Sequence, residues 1–198
     1  MPLLFSFLWF SWLCPKPENF PWKIDLGSSS QAIESGIEDI LQFDYGAKIK
    51  FSENLENWLE IIHFGYNQDS AAASLCSRNH PPDYCMGYTG IKIVDSKSPV
   101  TYLFNGSSLN FRHYTTPILN GKNQPNLHVF WGSFTLDSRI DSFDFTNSSI
   151  LEKAQWFLSG KLSYQRKVLL VTMKGRNNLT EAKEKLISVL DKIIKPST

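Results

Sequence analysis

The chain has 198 residues, 20 Lys and Arg against 19 Asp and Glu, a net charge of +1 and 42% hydrophobic residues. That length suits one domain, large enough to bury a core without metals or many disulfides. The near-zero charge excludes a general electrostatic pull toward nucleic acid or anionic lipid, and the composition excludes collagen, coiled coil and disorder.

Residues 3–13, LLFSFLWFSWL, form an uncharged apolar run. It is shorter than the roughly 20 residues a membrane-spanning helix needs, but has the length of a signal-peptide core. Cys14 closes the run, and a Pro-rich polar stretch, PKPENFP, follows. A cysteine in that place resembles a bacterial lipoprotein signal, which implies acylation of Cys14 and a membrane tether through the N-terminus. Bulky Trp12 and Leu13 stand where the motif has small residues, and no basic residue precedes the run. The expected organisation is a leader at 1–14, a polar tether at 15–27 and a single domain at 28–198. The expected location is outside the cytoplasm: periplasm, cell surface or secreted.

Loss or acylation of Cys14 leaves Cys76 and Cys85, which enclose SRNHPPDY. A disulfide between them closes a loop of about 10 residues, worth roughly 2.7 kcal/mol in the chain-entropy model, and suits an oxidising compartment. Zinc held by Cys76, His80, Asp83 and Cys85 is the weaker alternative, because a knuckle needs a further cysteine near Ala73. The sequons at Asn105, Asn147 and Asn178 occur at about the frequency chance gives, so they decide nothing.

In chain order, residues 29–42 read as a helix after capping serines 28–30, with Ile33, Ile37, Ile40 and Leu41 on one face. YGAKIKF (45–51) alternates as a strand. Ser52 reads as the cap of a second helix carrying Leu55, Trp58, Leu59 and Ile62 on one stripe. Residues 65–89 read as irregular loop. Five strands follow, at 90–95, 100–104, 107–114, 126–136 and 139–145. Asn105-Gly106 marks a two-residue type I′ hairpin turn and Asn120-Gly121 a second, wider one, because Pro117 and Pro125 withhold backbone donors. Ser149 to Glu152 is a capping box that opens a helix ended by Gly160. KVLLVTM (167–173) reads as a central strand covered on both faces. Asn178-x-x-Glu181 starts a final helix with Leu186, Leu190, Ile193 and Ile194 inward. The predicted fold class is α+β: an antiparallel β-meander sheet of about six strands, amphipathic helices packed on it, and a strand followed by a long C-terminal helix at the end.

The hairpin register supplies the candidate sites. A turn at Asn105-Gly106 pairs Tyr102 with Leu109 and Val100 with Phe111. A hairpin centred on Asn120-Gly121 pairs Phe111 with Phe130 and His113 with His128. Alternation then gathers one apolar face with both histidines near its edge. His113 and His128 are thus candidates for acid–base or metal chemistry, with Asp83 or Asp137 to complete them; the alternative is a pair hydrogen-bonded at the rim of the core. The opposite face carries Asn110, Arg112, Tyr114 and Trp131, a mixed aromatic and polar surface suited to a protein, peptide or glycan. No nucleotide, phosphate, zinc-protease or nucleophile-elbow motif occurs, so no cofactor or metal is expected. The reading is an exported, membrane-tethered binding module using the Trp131 face, and the alternative is a secreted hydrolase using His113 and His128.

Overall fold

The computed structural model describes residues 19–52, 54, 57–67, 82, 86, 91–116, 127–135, 165–175 and 178–197. The leader, Cys14, Cys76, Cys85, the strand expected at 139–145 and the helix expected at 149–160 lie outside them. Strands β1 (Trp22–Ile24), β2 (Tyr45–Ser52), β3 (Trp58–Tyr66), β4 (Val94–Asp95), β5 (Val100–Phe104), β6 (Ser107–Thr115), β7 (Leu127–Thr135), β8 (Arg166–Lys174) and β9 (Ile194–Pro196) accompany helices α1 (Ser35–Leu41) and α2 (Leu179–Ile193). The architecture is α+β, mostly antiparallel sheet, with two helices among the described residues.

The main sheet has seven strands in the order β2-β3-β8-β7-β6, with β4 and β5 end to end along the outer edge of β6. Every neighbour is antiparallel. The meander holds from β5 through β7, while β8 sits centrally between β7 and β3. A buried place on both faces is what its unbroken apolar run demands.

Residues 58–62, expected in a helix, belong to β3. Leu59 and Ile61 enter one core cluster, while Phe64 and Tyr66 enter the other, with Trp58 and Ile62 packed against it. A strand covered on both faces loses its alternation, so its apolar residues can imitate helical spacing. The first helix is also shorter than expected. Ser30 closes a turn on Gly27 through its backbone N–H and its hydroxyl (3.3 and 2.9 Å). Gln31 then exchanges two backbone hydrogen bonds with Lys48 of β2, each 2.8 Å, which keeps residues 28–31 from helical geometry.

Two cores flank the sheet. Helix α2 buries Ala182, Leu186, Val189, Leu190 and Ile193 against one face, over Phe111, Phe130, Leu169 and Val171. Tyr102 pins this helix to β5 by donating its hydroxyl proton to Asp191 Oδ1, 2.8 Å away. On the other face Ile33 and Phe64 pack with Tyr114, Val129 and Trp131, and Ile37, Leu41 and Phe43 lean on them. Phe20 and Trp22, within the stretch read as tether, are buried in the first core, and β1 pairs with β9 in a two-stranded ribbon. Their aromatic side chains outweigh the prolines around them, since burying one such ring is worth about 2 kcal/mol.

The cap of α2 forms as expected: Asn178 Oδ1 accepts the Glu181 backbone N–H at 2.9 Å, and its amide donates to Glu181 Oε1 at 3.0 Å. N178A should therefore cost about 1 kcal/mol in a urea melt, with activity-independent loss confined to stability.

Candidate functional site

The aromatic–polar face divides on inspection. Tyr114 and Trp131 are buried in the cluster that also holds Ile33 and Ile93, so they are core side chains. Asn110 and Arg112 are half-buried, and Thr101 Oγ1 donates to Asn110 Oδ1 at 2.8 Å. The face read as a binding surface lacks its two aromatic anchors. A sheet face cannot be assigned to solvent from its own residues when residues distant in the chain cover it.

The histidines do come together. The β5–β6 register is the expected one, with Tyr102 opposite Leu109 and Val100 opposite Phe111. Asn105 and Gly106 take the positive φ values (47° and 79°) that a type I′ turn requires. Between β6 and β7 the register is two residues from expectation: His113 faces Phe130, and His128 faces Thr115. A shift of two preserves the face of every side chain. His113 and His128 therefore remain diagonal neighbours, with Nε2 of the first 2.9 Å from Nδ1 of the second and the rings stacked at 5.1 Å.

A third group joins them. Between Asp95 opposite Tyr114 and Val100 opposite Phe111, the four residues Ser96–Pro99 face only Arg112 and His113, which makes a wide bulge. Asp95 Oδ1 accepts the Lys97 backbone N–H at 2.7 Å, and Lys97 adopts φ 58° to make the turn. The bulge brings Ser96 Oγ within 2.7 Å of His113 Nδ1, while the Ser96 N–H donates to the His113 carbonyl at 2.9 Å. The result is a Ser96–His113–His128 chain of side-chain hydrogen bonds, with both rings buried. Burial, then the neighbouring His128 and Lys183, lower the His113 pKa to about 4, with Asp95 opposing. At neutral pH the ring is uncharged, and one proton per contact can sit on either side of each bond. A base of that strength takes a serine proton weakly at pH 7. Ser133, the other serine near these histidines in sequence order, lies on the opposite sheet face, because β7 alternates His128, Phe130 and Phe134 to one side. Asp83 and Asp137 lie outside the described residues, and among the described residues no third metal-ligating side chain joins the pair.

A groove lies elsewhere, between the β2–β3 end of the sheet and α2, and encloses about 240 Å³. Leu59, Ile61, Val189 and Ile193 line its apolar part, with Phe51 and Trp58 from the strands. Phe51 is 53% exposed, so its ring stands open at the groove. Lys185 and Lys192 stand on the helix wall, and among the described residues no acidic side chain lines the groove. Sequence reasoning missed this site because its parts come from elements far apart in the chain and from a strand read as helix. The signal available was the pattern of bases on the last helix, which alone has no direction.

Comparison with family models, curated proteins and solved structures found no match to this chain.

Proposed function

We propose that the protein is an exported binding module that takes a small amphiphilic anion, its apolar part in the groove between β2–β3 and α2 and its charge toward Lys185 and Lys192. The observation that carries the reading is the open Phe51 ring at an apolar cleft whose charged lining side chains, among the described residues, are Lys185 and Lys192. A volume of about 240 Å³ is slightly below that of drug-sized sites, so the fit is to a short acyl chain or a single ring. The exported part of the reading is supported by the 3–13 apolar run and the Cys76/Cys85 pair.

Isothermal titration with decanoate tests the binding reading. The expected Kd is about 0.1 mM, roughly −5.5 kcal/mol, an ordinary yield for so few atoms. The K185E/K192E double variant should weaken decanoate at least about ten-fold, and F51A about five-fold, with melting temperatures little changed because Phe51 and Lys192 are exposed. No heat with the wild-type chain, or equal affinity for decanol and decanoate, would overturn it. Intact mass of the native protein tests export. Processing near Cys14 with a deficit of about 2 Da for the remaining cysteine pair is expected, while an unprocessed, fully reduced chain overturns it.

The second reading, a hydrolase, rests on the 2.7 Å approach of Ser96 Oγ to His113 Nδ1. It requires a nucleophile with an adjacent base and orienting group, and predicts an ester hydrolysis abolished by S96A with a lower pH midpoint near 4.

A further inference from the structure

Lys185, Val189 and Lys192 line the helix side of the groove. They fall four and then three residues apart on α2, so they share one stripe of the helix. Seven residues of helix rise about 10.5 Å, which sets the two lysines that far apart along the axis. Val189 lies between them, with Ile193 beside Lys192. Across the groove stand Phe51 and Leu59, paired directly in the β2–β3 register, and Ile61, the next residue of β3 on the same face.

The groove is thus a strip of apolar surface with a cation toward each end of its helix wall. Lys185 is half-buried, and Lys192 is exposed in the last turn of the helix. The two could grip a single head group only by folding their stems inward across Val189. That would cover the apolar wall with lysine methylenes, bring two like charges together and cost the freedom of two long side chains. One head group for each lysine leaves the wall open and gives each cation its own partner.

Resting on the reading of the groove as an anion-binding site, we infer that its ligand is a dianion, a linear apolar chain with a carboxylate at each end. An α,ω-dicarboxylate of about ten carbons spans roughly 11 Å with its bonds staggered, which matches the separation of the lysines. Its methylenes lie against Phe51, Leu59, Ile61 and Val189. One carboxylate meets Lys185 and the other meets Lys192. Neither charged end has to be fully desolvated, because Lys185 keeps part of its exposure and Lys192 stands in solvent.

Isothermal titration of the intact protein with decanedioate beside decanoate tests this, since the two differ only in a carboxylate or a methyl group at the far end. Decanedioate should bind about ten-fold tighter, because a charge-assisted contact replaces a methyl contact. A gain of about two-fold is what two equivalent ends give by statistics alone. K185M and K192M keep an unbranched apolar stem at each position, and unchanged melting temperatures would show that both variants fold. Each should cost decanedioate about ten-fold and decanoate only about two-fold, because the monoanion retains the other lysine. Decanoate binding with a decanedioate gain of no more than about two-fold, or single variants that weaken both ligands alike, would overturn the dianion and leave the anion-binding reading standing. No heat from either ligand would overturn both.

Discussion

Acidification from pH 6.5 to pH 4 is expected to remove roughly 6 kcal/mol of folding stability, a large share of the roughly 5–15 kcal/mol that native proteins possess. Two buried histidines drive the loss. His63 is 9% exposed and His113 is 2% exposed, and each has its pKa lowered from 6.5 to about 4. Burial is the larger cause for both. The Lys167 charge adds to it at His63, and His128 and Lys183 add to it at His113. The unfolded chain takes up a proton at each ring near pH 6.5, whereas the folded chain resists until about pH 4. Between those values the unfolded state holds more protons, so stability falls as the pH falls, by roughly 3 kcal/mol for each ring, and the contribution of the two rings is constant above the window. Urea melts at pH 7, 5.5 and 4.5 measure this directly. H113Q, which keeps a donor and an acceptor for Ser96 and His128, should about halve the slope. A denaturation midpoint constant down to pH 4.5 would mean that water reaches these rings in the folded state.

The second large effect is expected at Gly132 of β7. A Cβ there would stand 2.3 Å from Phe134 Cζ and 2.9 Å from Phe111 Cε1. Both rings are buried and meet edge-to-face at 5.5 Å, and Phe134 in turn abuts Trp22. A methyl group therefore has to push Phe134 into the contacts that seal β1 to the sheet. G132A should cost about 2 kcal/mol and G132V more than about 3 kcal/mol, the upper range for overpacking a core. Near-ultraviolet circular dichroism should register the displaced tryptophan and phenylalanine environments together with the lowered melting point. A neutral G132A would show that Phe134 has a second resting position of equal energy.

Local chemistry was legible in the sequence, and long-range covering was not. Asn105-Gly106 fixed the β5–β6 pairing to the residue, because both positions accept positive φ at little cost. The Asn178–Glu181 cap and the buried run of β8 were equally local. The β6–β7 register missed by two because the intervening loop is long, yet the histidine pair survived since side-chain parity repeats every two residues. Nothing near His113 announced Ser96, which reaches it through a bulge in another strand. Trp58 to Tyr66 misled because both its faces are covered. Tyr114 and Trp131 misled for the complementary reason: alternation identifies a face but not what lies over it, and Ile33, which shares their cluster, comes from 81 or more residues earlier.

The ribbon of β1 with β9 joins the first described strand to the last. Contacts so distant in sequence pay their loop-closure entropy before any reward arrives, so they form late. On the ribosome the delay is absolute, because Trp22–Ile24 has no mate until Ile194–Pro196 has been synthesised. Until then the backbone edge of Trp22–Ile24 has no strand to pair with. The clasp therefore cannot close before residues 194–196 have left the ribosome, which makes it a late step of folding.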